Sequence, residues 1–249
     1  MKRVKLVVAY DGTNYCGWQV QKNGETIESV LNRAIGELTG EEIHVMGSSR
    51  TDAGVHACGN VAVFDTEARM VADKFSYALN QRLPEDIRIQ DSCEVPADFH
   101  PRFQKTVKTY EYRILNREFL LPAYRFNSHF TYRKLDVERM RQAAAYLIGE
   151  HDFQSFCAAG AQVKTTVRTI YALDVEKQGD LIILRITGNG FLYNMVRIIA
   201  GTLMKIGQGD WEPECIPEIL AGCDRQLAGP TAPARGLTLM EIHFKGEKG

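Results

Sequence analysis

No apolar run in this sequence approaches the roughly 20 residues that a membrane-spanning helix needs, so an integral helical membrane protein is excluded. The opening Met1-Lys2-Arg3 and the short strand-like stretch after it lack the apolar core and small-residue cleavage site of a secretion signal. A cytoplasmic protein is the expectation. Cysteine is scarce, with six residues at 16, 58, 93, 157, 215 and 223 and no Cys-x-x-Cys pair. Separate reduced thiols fit that compartment, and neither a disulfide framework nor a zinc site does. The six histidines, at 44, 56, 100, 129, 151 and 243, show no metal-ligand spacing, so no metal is expected. There is no excess of either charge: 30 Lys and Arg stand against 31 Asp and Glu, a net charge of −1. Composition alone therefore does not announce a nucleic-acid partner.

What is present is the pattern of a soluble globular chain. The 249 residues are 45% hydrophobic and 24% charged, enough for one large domain or two modest ones. Residues 4–10 read as a strand. Thr26 then caps a helix with Ile27, Val30, Leu31, Ala34 and Leu38 on its apolar face and Gly40 as its stop. Strands follow at 43–47 and 60–65, a second helix face at Val71, Phe75, Ala78 and Leu79, and a closing strand at 87–95. The order then recurs. Residues 107–115 form a strand rich in β-branched and aromatic side chains. Asp136 caps a helix with Val137, Met140, Ala144 and Leu147 inward, and 168–176 and 181–187 make a hairpin. An apolar helix spans 194–206, a short one is expected at 213–221, and 237–244 is a last strand.

Each half thus reads β-α-β-β-α-β, the ferredoxin-like order. The expected fold class is α+β, with two ferredoxin-like subdomains, 1–105 and 106–249, their sheets side by side around a central cleft. RNA-recognition modules share this order, as do many unrelated proteins, so the fold alone does not decide function.

Three stretches could carry chemistry. The first is the loop Ser48-Ser49-Arg50-Thr51-Asp52-Ala53-Gly54-Val55-His56-Ala57. Gly54 permits a tight bend two residues after Asp52, and Arg50 flanks the carboxylate. An Asx turn is the ordinary explanation of such an aspartate, but ordered loops are also where catalytic groups sit. The second is Lys108-Thr109-Tyr110-Glu111-Tyr112, where strand parity puts Lys108, Tyr110, Tyr112 and Ile114 on one face. A base could stack there, or the rings could simply pack against a helix. The third is 188–197, from Gly188-Asn189-Gly190 to Arg197, where two glycines end a strand and a helix begins. It lacks the third glycine of a dinucleotide fingerprint. Arg197 stands among Val196, Ile198, Ile199 and Ala200, so its guanidinium needs a carboxylate partner or must reach water along its stem. Five cations at 102, 105, 108, 113 and 117 could form a phosphate-binding stripe or guard a strand edge.

Taken together, these stretches resemble the TruA family of tRNA pseudouridine synthases. The resemblance runs from Tyr10-Asp11-Gly12-Thr13-Asn14-Tyr15-Cys16-Gly17-Trp18-Gln19 to Gly236-Leu237-Thr238-Leu239. Arg50-Thr51-Asp52-Ala53-Gly54-Val55-His56-Ala57 matches the family's catalytic motif without a gap, and Ser49 stands where many members have glycine. The resemblance implies a catalytic aspartate nucleophile at Asp52, paired with Arg197. It implies that Tyr110, rather than Tyr112, stacks on the target base and that Arg50 helps hold the extruded nucleotide. It further implies a homodimer acting without a cofactor on the tRNA anticodon arm, at nucleotides 38, 39 and 40. The rival expectation is a non-catalytic tandem RNA-binding protein, which would keep Tyr110 and the basic stripe but would not need Asp52.

Overall fold

A computed structural model of the chain describes residues 1–160 and 163–244. The protein is α+β and divides into two compact units, one comprising Met1–Lys105 with the residues from Leu239 on, the other Thr106–Thr238.

Unit 1 runs β1 (Lys2–Tyr10), α1 (Ile27–Thr39), β2 (Met46–Gly47), β3 (His56–Thr66), α2 (Phe75–Asn80) and β4 (Ile87–Val95). The helix α1 starts where the sequence indicated. Thr26 accepts from Ser29 N–H while Ser29 Oγ accepts from Thr26 N–H, a reciprocal cap. The left-handed Gly40 at φ 74° closes the other end. Ile27, Val30, Leu31, Ala34 and Ile35 are its buried residues. Strand β1 pairs antiparallel with both β3 and β4, and the short β2 pairs with β3. Strand β3 is buried on both faces along most of its length, so it lacks the alternation of a half-solvated strand. Val71 is exposed, because a 3-10 turn at Ala72–Lys74 precedes α2 and leaves Val71 outside the helix.

Unit 2 runs β5 (Thr106–Asn116), β6 (His129–Thr131), α3 (Val137–Ala145), β7 (Gly149–Asp152), β8 (Val167–Gln178), β9 (Leu181–Gly188), α4 (Met195–Gly207) and α5 (Cys215–Gly222). Its sheet has the order β5-β9-β8-β7, with β6 beside β5. The hairpin between β8 and β9 turns on Gly179 and Asp180, with Gln178 paired to Leu181. The Asp136 carboxylate caps α3 by accepting from Glu138 and Arg139 N–H. Helix α4 is buried on nearly every side; of its residues only Arg197 and Lys205 are not.

The last strand, β10 (Leu237–Phe244), departs from the expected boundary at 106–249. From Leu239 onward it groups with unit 1, where it lies next to β3 in the sheet order. Gly59 on β3 permits this approach, since a Cβ there would sit 2.7 Å from the Met240 carbonyl oxygen. Strand membership is decided by the hydrogen-bonding neighbour, which local composition does not encode. Among the described residues, no helix is long and apolar enough to cross a membrane.

Candidate active site

Asp52 lies in the loop between β2 and β3 and is half-buried. Its backbone is fixed from several directions within unit 1. Thr51 is held twice: its carbonyl accepts from Trp18 N–H (3.0 Å), and its Oγ1 shares a hydrogen bond with the Tyr10 hydroxyl (2.7 Å). Asn60, fully buried within β3, donates from Nδ2 to the Ser49 carbonyl (2.9 Å) and to the Tyr10 hydroxyl (3.3 Å). Ser48 Oγ donates to the Pro101 carbonyl (2.9 Å).

After Asp52 the chain turns. Val55 N–H donates to the Asp52 carbonyl (3.1 Å), and Gly54 takes φ 77° in the third position, which a type II turn reserves for glycine. Gly54 N–H in turn donates to the Tyr15 carbonyl. The segment 10–19 therefore forms the floor of the loop, and it approaches too closely for side chains at two points. A Cβ on Gly12 would fall 2.0 Å from the Val55 carbonyl oxygen, and one on Gly17, at φ 88°, would fall 2.6 Å from that of Thr51. Gly12 N–H donates to His56 Nδ1 (3.1 Å) at the loop's far end.

Arg50 is exposed on the same loop. Its charge is felt by Arg102, whose Nε donates to the Gly47 carbonyl (2.9 Å). Burial pushes the Arg102 guanidinium below its ordinary range, the Arg50 charge adds to this, and Glu28 opposes it.

Tyr110 and Arg197 lie in unit 2. Tyr110 is buried on β5, and its ring meets Phe191 edge to face, with centroids 5.3 Å apart. The second and third sequence motifs thus come together, and Lys108 pairs with Gly188 in the β5–β9 register. Tyr112, on the same face, is fully buried and donates to the Pro233 carbonyl (2.9 Å). Burial pushes its hydroxyl well above the ordinary range, against the opposing charges of Arg197 and Arg235. Arg197 itself is pinned by its own guanidinium. Nε donates to the Ala232 carbonyl and Nη1 to Asn194 Oδ1, both at 2.7 Å.

The strap carrying Ala232 lies directly on α4. A Cβ on Gly201 would sit 1.8 Å from the Pro230 carbonyl oxygen, and Gly229 N–H donates to Thr202 Oγ1. A glycine and a threonine inside an apolar helix are therefore what let the strap reach Arg197.

The five cations do not form a uniform stripe. Arg102 and Lys105 belong to unit 1, the other three to unit 2. Arg113 pairs with the buried Glu111 (3.1 Å), which also holds Arg185 across the β5–β9 register (2.5 Å), and Arg117 pairs with Asp180 (3.2 Å). Glu111 is the one carboxylate among these cations in sequence, but its second partner Arg185 and the Arg117 partner Asp180 come from a neighbouring strand and its turn, which charge counting along β5 does not reach. Residues 10, 17, 18 and 60 were also missed as parts of the site. Asn60 had left a signal, a strand-averse amide at the head of an apolar run.

Among the described residues, no group of three or more His, Cys, Asp and Glu side chains is gathered as metal ligands. What unit 1 presents is a carboxylate on a preorganised turn, with Arg50 exposed on the same loop. Unit 2 presents a tyrosine ring and a firmly oriented arginine. Such a set can supply a nucleophile, a stacking surface and phosphate contacts.

The sequence profile of the tRNA pseudouridine synthase family matches residues 6–104 and 143–245. A tRNA pseudouridine synthase A of Ruminiclostridium cellulolyticum is 49% identical over 245 residues, covering 98% of this chain and 100% of the relative. The protein of the same name from Brevibacillus brevis is 51% identical over 245 residues, with the same coverage of both chains. Among solved structures, 95% of this chain superposes on 46% of a chain in an archaeal box H/ACA sRNP Nop10-Cbf5 complex, at 10% identity and a TM-score of 0.34.

Proposed function

The chain belongs to the tRNA pseudouridine synthase family, and from that premise we propose that it converts uridine to pseudouridine at nucleotides 38, 39 and 40 of the tRNA anticodon arm, with Asp52 as nucleophile. The observation that carries this is the Asp52 turn, tethered on both sides within the Arg50–Ala57 motif and lying inside the matched residues.

In this reaction the N1–C1′ bond of uridine breaks, the base turns, and a C5–C1′ bond forms. The proton on C5 leaves and N1 takes one up. No atom or electron is exchanged with a third molecule, so the chemistry calls for no cofactor. The nucleophile must be ionised at neutral pH. An arginine within a few ångströms favours the charged form and lowers an aspartate pKa by about 1–3 units. Arg197 is assigned that role. Tyr110 stacks on the base and Arg50 holds the swung-out nucleotide; unstacking costs a few kcal/mol, and one base–aromatic contact returns about 1–3 kcal/mol. The working form is a cytoplasmic homodimer.

The test is to incubate unmodified tRNA with the protein, digest it to nucleosides and analyse them by mass spectrometry with positional mapping. The expected product is an isomer of uridine of unchanged mass at 38, 39 and 40. Free uracil would indicate a base-excising enzyme, and unchanged tRNA that is nevertheless bound would indicate a non-catalytic binder. An isomer at other nucleotides would keep the activity and overturn the assigned positions.

A further inference from the structure

Two non-glycine residues in the described chain take a positive φ, and they sit at opposite kinds of helix end. Cys223, at φ 47°, closes the C-terminus of α5, where a left-handed residue is a common way to stop a helix. Asn194, at φ 60° and ψ 8°, opens α4. A helix normally begins from an extended residue whose side chain accepts from the first-turn amides. Asn194 does neither: its backbone is left-handed and its side chain makes no capping bond. The side chain is turned instead to Arg197, one helical turn on, and Oδ1 accepts from Nη1 at 2.7 Å. Arginine has no acceptor, so the amide oxygen must be the atom that faces it.

We propose that Asn194 is a positioning residue for the reaction, whose left-handed backbone exists to aim its amide oxygen at Arg197 and so set the direction of that guanidinium. Two features support a built arrangement. The first is that the guanidinium is held on two edges, by Asn194 and by the Ala232 carbonyl, which fixes its plane as well as its place. The second is that the left-handed conformation is costly for a residue with a Cβ and is kept where surrounding structure enforces it, as at functional sites. Met195 N–H to the Leu192 carbonyl, Ala158 N–H to the Tyr193 carbonyl and Ile198 N–H to the Asn194 carbonyl lock the peptides around it. Asparagine is the standard residue that tolerates this conformation while still carrying an acceptor. Glycine would meet the backbone need alone, and serine or aspartate in extended form would cap the helix better. Only the combination explains the choice. The inference rests on the assignment of Arg197 to the reaction made above.

The test compares substitutions that separate backbone from side chain, each assayed for release of the C5 hydrogen of uridine from tRNA and for thermal unfolding. Asn194→Gly keeps the left-handed backbone and removes the acceptor. It is expected to unfold at the same or a higher temperature than the parent, with kcat lowered at least about tenfold and KM changed less than about threefold. Asn194→Asp keeps both the backbone preference and an acceptor oxygen, and is expected to stay within about fivefold of the parent kcat. In an Arg197→Met background, adding Asn194→Gly is expected to change kcat by less than about twofold, because the group it orients is gone. A parent-like kcat in Asn194→Gly, or an equal loss from it in both backgrounds, overturns the positioning role while leaving the role of Arg197 intact. Undiminished turnover in Arg197→Met alone overturns the assignment of Arg197, and this inference with it.

Discussion

Thr51, the residue before Asp52, is held through its own carbonyl and hydroxyl, whereas Arg197 is held through the guanidinium itself. In the first region the backbone around the chemical group is fixed by strand ends and by glycines that admit close approach. In the second the chain is a regular buried helix, and the side chain is steered by the amide of the residue that opens the helix and by a carbonyl from the strap across it. The contrast follows from the length of the two side chains. An aspartate has two torsions, so fixing its backbone nearly fixes the carboxylate. An arginine has four, so its head must be anchored directly.

The largest expected effect breaks the first region at its chemical centre. Asp52→Asn preserves size and the turn, so turnover on unmodified tRNA should fall at least about 10³-fold while tRNA affinity stays within about tenfold. Measuring both by single-turnover kinetics and filter binding decides the matter. A parallel loss of affinity would mean that Asp52 contributes contacts rather than chemistry.

A smaller effect probes whether backbone fixation is what the loop needs. Gly17 and Gly40 both take positive φ, 88° and 74°, but a Cβ on Gly17 would strike the Thr51 carbonyl oxygen and one on Gly40 would meet nothing within 4 Å. Gly40→Ala should cost only the conformational penalty, about 1 kcal/mol, and leave activity unchanged. Gly17→Ala should lower the unfolding temperature further and reduce turnover along with it. If both variants kept full turnover, displacement of Thr51 would not reach Asp52, and the tether would be structural only.

The smallest expected effect lies in unit 2, away from either anchor. His129 Nδ1 is buried without a hydrogen-bond partner among the described residues. Burial holds the ring's pKa below the ordinary 6.5, and the charge of Arg235 adds to the depression. The unfolded chain therefore takes up this proton first as pH falls, so stability contributed by the neutral ring is present above pH 6.5 and declines on acidification until the folded ring also protonates. His129→Gln should flatten the fall in unfolding temperature between about pH 7.5 and pH 5.5. An unchanged slope would assign the acid sensitivity to other groups.

Much of this was legible in the chain itself. Thr26 and Gly40 marked the ends of α1, Asp136 marked the start of α3, and the β-branched and aromatic run at 107–115 marked β5, because caps and side-chain periodicity act over a few residues. Strands β6 and β7, of three and four residues, were not legible, since no period can be read from so few positions. Within the candidate site, Asp52, Arg50, Tyr110 and Arg197 stood out through their motifs. Their supports did not. Asn60, Tyr10 and Trp18 reach the loop from 11 to 41 positions away in sequence, and Gly201 acts by what it leaves out, a Cβ that would meet the Pro230 carbonyl.

The ends of α1 and α3, the longer strands and the family to which the chain belongs were written in local patterns of residues, because hydrophobic period, capping and motif spacing are short-range properties. Which strand receives β10, which carboxylate neutralises Arg117, and what holds Thr51 and ties Arg197 to the Ala232 carbonyl were decided only in three dimensions. Those outcomes depend on hydrogen bonds and close approaches between segments far apart in the chain, and such contacts leave no periodic trace in either partner.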